Sequence, residues 1–368
     1  MEEVLLTYNP HWENEVAFPG IERPYYLNLL LKEKDRILFL IGLRRIGKTT
    51  LLKQAIARLQ HQVNPKHLLY VSLDHPMVQS YSLGDIIRTY RKLHALSRKE
   101  KIYLFLDEVG YQPDALRWIK VLYDNVQIYA TTSSSAYLKQ QGGLLTGRHL
   151  TVRVKPLGFD EYLRFTGKET SEPHLLERYF EDYLREGGIP YYVLTKDVNY
   201  LVELVNDVLT KDILSRAPGL HLQKIKELFY LVLSRVGKPL TYNRLAKLLG
   251  TKPETVEQYL TYMEAELLHL IYRWSRSMNE RIFSPKKVYL GDIGIKYALT
   301  GSYSTGSNFE NAVLLEILEK EPFYWLQDGI EIDFITRTKE VYECMLSGTL
   351  TPKQEKMLAT LKRQGYQY

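Results

Sequence analysis

A single cysteine, Cys344, occurs among the 368 residues, so no internal disulfide can form and a reducing environment is expected. No apolar run approaches the ~18 residues a membrane helix requires, which sets membrane spanning aside. The first residues, MEEVLLTYNPHWENEV, are acidic and lack the basic stretch and apolar block of a secretory signal; with the lone thiol this predicts a cytoplasmic protein. Repeats and long low-complexity tracts are missing too, SSSA and QQGG being only loop-sized. Strong charge is also absent. Lys and Arg number 49 against 43 Asp and Glu, and a net charge of +6 over this length does not establish a nucleic-acid partner, so the placement of charge matters more than its sum. Tyrosine is abundant at 29 residues, and the sequence offers no physical account of that.

Hydrophobic residues at 45% and charged residues at 25% are ordinary for a folded chain, and at roughly 100 to 200 residues per domain the length predicts two or three domains. In the first half, apolar runs at 36–43, 67–73, 101–108 and 126–132 alternate with helical stretches such as 49–60 and 113–124. This is the pattern of a parallel sheet covered on both faces. From about Phe159 the pattern turns helical, with Gly187-Gly188 and Pro190 as the clearest break. Residues 226–290 read as three helices and a hairpin, and 309–345 as a helix followed by two strands.

Gly42-Leu43-Arg44-Arg45-Ile46-Gly47-Lys48-Thr49 carries two glycines followed by Lys-Thr, between an apolar strand and a helix. In such a phosphate-binding loop the backbone N–H groups face phosphates, Lys48 reaches the β and γ phosphates, and the Thr49 hydroxyl holds Mg2+. Arg44, Arg45, Ile46 and Thr50 complete the expected nucleotide-contacting set with Gly42 and Gly47. The plain alternative is a glycine-containing strand-to-helix turn. IYLFLDE then ends an apolar strand in Asp107-Glu108, beside the loop if the sheet is parallel. Asp107 would hold Mg2+ and Glu108 would orient and polarise the attacking water, because phosphoryl transfer depends on positioning and charge stabilisation. Solvated carboxylates at a strand end are the alternative. Thr131-Thr132-Ser133 ends the next strand, where a hydroxyl, Ser133 in particular, either meets the γ-phosphate and water or serves turn chemistry.

Taken together, GLRRIGKTT, YLFLDE, TTSSS and LTGRHLTVRVKPLGFDEYL resemble the AAA-type archaeal and bacterial ATPases of the signal-transducing branch. The resemblance covers nearly the whole chain. It implies a GG-[hydrophobic]-P segment, here Gly187-Gly188-Ile189-Pro190, then a winged helix and a nuclease-like tail. Thr132 departs from it, since the family usually has glycine there. By the same resemblance Arg148 is a candidate arginine finger offered to a neighbouring subunit, which would make a homo-oligomer the hydrolysing form. Arg23, in Ile21-Glu22-Arg23-Pro24-Tyr25, falls where the family packs a segment against adenine. A structural loop arginine and an ordinary loop are the competing readings.

Residues 231–290 hold ten Lys or Arg against five Glu. Thr241–Leu249, Gly250 and a capping-box Thr251-Lys-Pro-Glu254 form the succession of a helix-turn-helix, and IYRWSRSMNERIFSPKKVYL alternates like a wing. Helical spacing buries Val256, Tyr259, Leu260, Met263 and Leu267 and leaves Glu254, Glu257 and Glu264 outward, where carboxylates repel phosphates. The wing residues Arg273, Arg276, Arg281, Lys286 and Lys287, with Trp274 among them, remain the attractive surface for DNA. A solvated or protein-contacting face is the alternative. In the last module Glu310, Asp333 and Glu343 resemble the carboxylates of the PD-(D/E)xK nuclease fold, which gather Mg2+. Met345 stands at its lysine position, so an inactive fold is expected, with Lys353 or Lys356 the remaining basic residues nearby.

These observations predict an α/β P-loop ATPase domain over 1–160, a helical lid over 161–225, a winged helix over 226–295 and an α+β nuclease-like tail over 296–368. The expected activity is slow ATP hydrolysis to ADP with Mg2+, driving a nucleotide-dependent switch or loading device that acts on a partner, with a protein and, through the basic wing, DNA as the candidate partners. A DNA-binding or DNA-processing ATPase is the alternative, and a scaffold stiffened by ATP the third reading.

Overall fold

ILFLI, LLYVS, IYLFLD, VQIYATT and HLTVR form β1 (Ile37–Ile41), β2 (Leu68–Ser72), β3 (Ile102–Asp107), β4 (Val126–Thr132) and β5 (His149–Arg153). All neighbouring pairs are parallel, in the order β2-β3-β4-β1-β5. The computed structural model describes residues 1–123, 126–133, 145–214, 219, 221–264, 266–346 and 348–367, in two units, Met1–Lys155 and Pro156–Tyr368.

In the first unit the helices are α1 (Glu2–Tyr8), α2 (Pro24–Lys32), α3 (Lys48–Leu59), α4 (Pro76–Gln79), α5 (Leu83–Leu93) and α6 (Ala115–Leu122). Leu69, Val71, Leu104, Leu106, Ile128 and Ala130 pack against Ile86, Ile87 and Tyr90 of α5 and Leu116 and Ile119 of α6 in one core. β1 and β2 are buried at every position, which is why their sequences are unbroken apolar runs rather than alternating ones. β5 gave no such signal. It is an edge strand with only Val152 buried. Because the strands are parallel, their carboxyl ends share one edge: Asp107 lies level with Ser72, and Ile41 with Thr132. The loop 42–47 leaves β1 at that edge and opens α3.

The second unit begins with α7 (Phe159–Thr166), α8 (Pro173–Glu186), α9 (Pro190–Thr195) and α10 (Val198–Asp207). Gly187, with φ 76°, turns the chain between α8 and α9, and a Cβ there would meet Asp292 Oδ1 at 2.4 Å. The fully buried Asp292 carboxylate accepts the Gly188 amide at 2.7 Å and the Gly294 amide at 2.9 Å, tying the GGIP segment to the chain a hundred residues later.

Next come α11 (Leu222–Leu233), β6 (Pro239–Leu240), α12 (Tyr242–Leu249), α13 (Pro253–Glu264), β7 (Leu268–Ile271), α14 (Met278–Phe283) and β8 (Lys286–Leu290). The strands form an antiparallel sheet in the order β6-β8-β7. Val256, Tyr259, Leu260, Met263 and Leu267 are buried, as helical spacing predicts. α15 (Gly294–Thr300) and α16 (Thr305–Ile317) lead to β9 (Phe323–Gln327), β10 (Ile330–Ile335) and β11 (Val341–Tyr342), an antiparallel sheet covered by α17 (Pro352–Arg363). The sequence reading placed two strands after this helix. β9 is the third, and its missed signal is physical: only Tyr324 of FYWLQ is buried, so apolar character does not alternate with polar. The helix itself starts at Thr305, earlier than Phe309, with Ser304 as its cap.

Candidate functional site

At the carboxyl edge of the five-stranded sheet, Gly42 is held by space: a Cβ would lie 2.4 Å from the Val154 carbonyl oxygen. Arg45 (φ 64°) and Gly47 (φ 99°) adopt left-handed backbone, and the Gly47 Cβ position is open on all sides, so the loop curls without a wall in front of it. Lys48, at the first turn of α3, is buried and donates to the Gly42 carbonyl at 2.9 Å, the Leu43 carbonyl at 3.2 Å and Ser133 Oγ at 3.1 Å.

Asp107 is 3% exposed. Thr49 donates to its Oδ2 at 2.7 Å, Tyr70 donates to the same oxygen at 2.9 Å, and Thr131 donates to Oδ1. Burial pushes the carboxyl above the usual carboxylate range, the Thr131 and Thr49 hydroxyls pull it back, and neighbouring Glu108 raises it further. Glu108 leaves the strand in left-handed backbone, φ 54°, a conformation that costs a non-glycine residue about 1 kcal/mol. It turns its carboxylate back to Ser133, accepting the amide at 3.0 Å and the hydroxyl at 2.5 Å, and lies 3.7 Å from Lys48 Nζ. Lys48, Thr49, Asp107, Glu108 and Ser133 therefore converge. The donor set of Thr49 and Asp107 is all oxygen, which suits a hard cation such as Mg2+.

Other expected residues go elsewhere. Arg23 is buried, stacks over Tyr26 at 4.6 Å and donates to the Lys155 carbonyl at 3.0 Å, so its guanidinium braces the chain around the loop. Arg44 donates to Tyr111 Oη at 3.0 Å. Arg148 precedes β5 and stacks over Tyr123 at 5.4 Å. Its strand partner Ile37 opens β1, so within its own chain Arg148 sits at the amino edge of the sheet, about 16 Å of strand away from the loop. Ser134 and Ser135 of the TTSSS run lie outside the described residues. Tyr70 was missed, because nothing local in LLYVS says which strand its hydroxyl will face.

The wing needs correction. Lys286 and Lys287 are buried, since β8 is the central strand of its sheet rather than an exposed edge. Lys286 donates to the Ile282 carbonyl and stacks over Tyr242. Arg273 donates to the Leu326 carbonyl at 2.6 Å, and Arg281 stacks over Trp274 at 4.4 Å. Three of the five basic side chains therefore cap backbone or fill aromatic contacts instead of facing phosphates, and Lys287 is spent on carboxylates, leaving Arg276 exposed. α14 exposes Met278, Ile282 and Phe283.

In the last module Lys287 Nζ lies 2.8 Å from Glu310 Oε1, 2.6 Å from Glu331 Oε1 and 3.6 Å from Asp333 Oδ1. Glu343 accepts from the Asp333 amide at 3.3 Å and from Gln354 at 2.7 Å. Burial, with Asp333 close by, pushes Glu343 up to about 7. The structure thus brings Glu310, Asp333 and Glu343 to one place, with a lysine sequence reasoning had assigned to the wing.

Residues 34–163 match the family model described as AAA domain, and residues 177–305 match a domain of unknown function. An uncharacterized protein of Methanocaldococcus jannaschii is 27% identical over 73% of this chain and 63% of its own length, so the chain spans less than two thirds of that relative. A second uncharacterized protein of the same organism is 27% identical over 90% of this chain and 78% of its own length. The solved structure of the Aeropyrum pernix ORC1 protein in complex with DNA aligns at 15% identity with a TM-score of 0.39, over 79% of this chain and 96% of that one. The first unit has an AAA-type ATPase fold.

Proposed function

We propose that the first unit binds and hydrolyses ATP and that the cycle works as a switch on a protein partner. The observation that carries this is the meeting of Lys48, Thr49, Asp107, Glu108 and Ser133 at the carboxyl edge of a parallel sheet. Thr49 and Asp107 would hold the Mg2+ of the substrate, which supplies charge neutralisation between the phosphates. Lys48 exchanges the Gly42 and Leu43 carbonyls for phosphate oxygens. Glu108, already turned back by its left-handed backbone, orients and polarises the attacking water, with Ser133 holding the carboxylate in place. Arg148 is reserved for a second copy of the chain, since it lies at the far edge of its own sheet.

The partner is read as protein rather than DNA. The inward turn of Lys286 and Lys287 removes basic surface, Glu254 and Glu257 are exposed on α13, and Met278, Ile282 and Phe283 offer apolar contact.

The test is a pair of variants. Glu108→Gln should keep ATP affinity by calorimetry while turnover falls at least about 100-fold, whereas Lys48→Ala should weaken ATP binding with circular dichroism unchanged. Parental turnover in Glu108→Gln would assign the water to another group. ATP binding unaffected by Lys48→Ala would remove the phosphate-loop reading.

A further inference from the structure

The resemblance to a nuclease fold implies a divalent cation among Glu310, Asp333 and Glu343, and the residues present do not fit one. Lys287 Nζ stands at the point shared by Glu310 Oε1, Glu331 Oε1 and Asp333 Oδ1, at 2.8, 2.6 and 3.6 Å. A metal there would need the same oxygens at roughly 2.0–2.6 Å, so the ammonium and the ion cannot share the space. Several of the cluster's other acceptor positions are engaged as well. Tyr289 donates to Glu310 Oε1, the Cys344 amide donates to Asp333 Oδ2 at 2.9 Å, and both oxygens of Glu343 accept, from the Asp333 amide and Gln354. Among the described residues no group of three or more His, Cys, Asp or Glu side chains is arranged to hold a metal.

We infer that the Lys287 ammonium is the built-in cation of this cluster, taking the place of the divalent ion and clasping β8 to α16 and β10. The lysine is 1% exposed, so it cannot find water as an alternative partner, and burial by itself works against its charge. Glu310 and Glu331 more than reverse that and hold it protonated far into the basic range. A buried ion pair of this kind is weak evidence of net stability, yet removing one side leaves uncompensated charge, so the cluster stays shut as long as Lys287 is present. Lys287 is a permanent occupant, which a mobile metal would not be: it joins two sheets without depending on the supply of any ion.

The experiment uses the full chain without nucleotide, so that the phosphate loop contributes no metal site of its own. Thermal unfolding of the parent should be the same in EDTA as in millimolar Mn2+, and calorimetry should find no Mn2+ binding that Asp333→Asn abolishes. Lys287→Met, similar in volume and uncharged, should melt roughly 5 °C or more below the parent in EDTA. It should recover on addition of Mn2+ and bind one Mn2+ with Kd below about 1 mM, a binding lost in Lys287→Met/Asp333→Asn. Asp333-dependent Mn2+ binding by the parent would overturn the inference. So would a Lys287→Met protein that keeps the parental melting temperature. If Lys287→Met does not fold, the parent and Asp333→Asn measurements decide alone.

Discussion

Tyr70 shows how a single hydroxyl can bear on the proposed chemistry without touching substrate. Its Oη shares Asp107 Oδ2 with Thr49, and its backbone is held on both sides by Asn9, which accepts the Tyr70 amide at 2.6 Å and donates to its carbonyl at 3.0 Å. Tyr70→Phe keeps the ring and removes one donor from a carboxylate that burial already disfavours. The expected result is a turnover several-fold lower with ATP affinity nearly unchanged, a higher Mg2+ requirement, and about 1 kcal/mol less stability. Unaltered Mg2+ dependence would show that Thr49 and Thr131 orient Asp107 without help. The residues legible in the sequence were those whose chemistry is local: a glycine-lysine-threonine turn and two carboxylates at a strand end. Tyr70, Asp292 and Lys287 were not, because each meets a decisive partner tens of residues away, and only the tertiary fold brings them together.

Elements were legible in proportion to their burial. β1 to β4 announce themselves as apolar runs because both faces are covered, while β5 and β9, with one buried residue each, do not. The segment 272–285 looked like an alternating wing, yet it contains α14 and bonds through Tyr272 and Trp274 to Tyr324 of β9. The junction of α8, α9 and α15 depends on Asp292. Burial holds this carboxyl up to about 6, above its unfolded value of about 4. A folded-state value raised in this way means that the group's share of stability is complete below about pH 4 and is lost as pH rises through 6. Asp292→Asn cannot titrate, and it turns an amide toward the backbone N–H groups that the carboxyl faces, so at pH 4.5 it should be less stable than the parent by about 1–3 kcal/mol. That gap should narrow by pH 7. Urea unfolding at the two pH values measures it, and a gap of constant size would mean that Asp292 is ionised throughout.

For the whole molecule, the modest positive charge of the sequence overstates what is available to a polyanion. Lys48, Arg23, Lys286 and Lys287 are all buried. Duplex, single-stranded and branched DNA should therefore bind weakly, with a salt slope no steeper than about −2, and should remain uncut in Mg2+ or Mn2+, with ATP or without. Steep salt dependence or cleavage abolished by Asp333→Ala would bring the DNA-processing alternative to the front. The single cysteine offers a way to watch the second unit without engineering it. Cys344 is half-buried, its amide is committed to Asp333, and burial together with Asp333, Glu310 and Glu343 keeps its thiol protonated. A thiolate-selective reagent should then react slowly in the folded state and faster during excursions that part β10 from the segment after β11. The labelling rate of the unaltered chain becomes a clock for those excursions, and comparing it with and without ATP asks whether events at the phosphate loop reach the other end of the polypeptide.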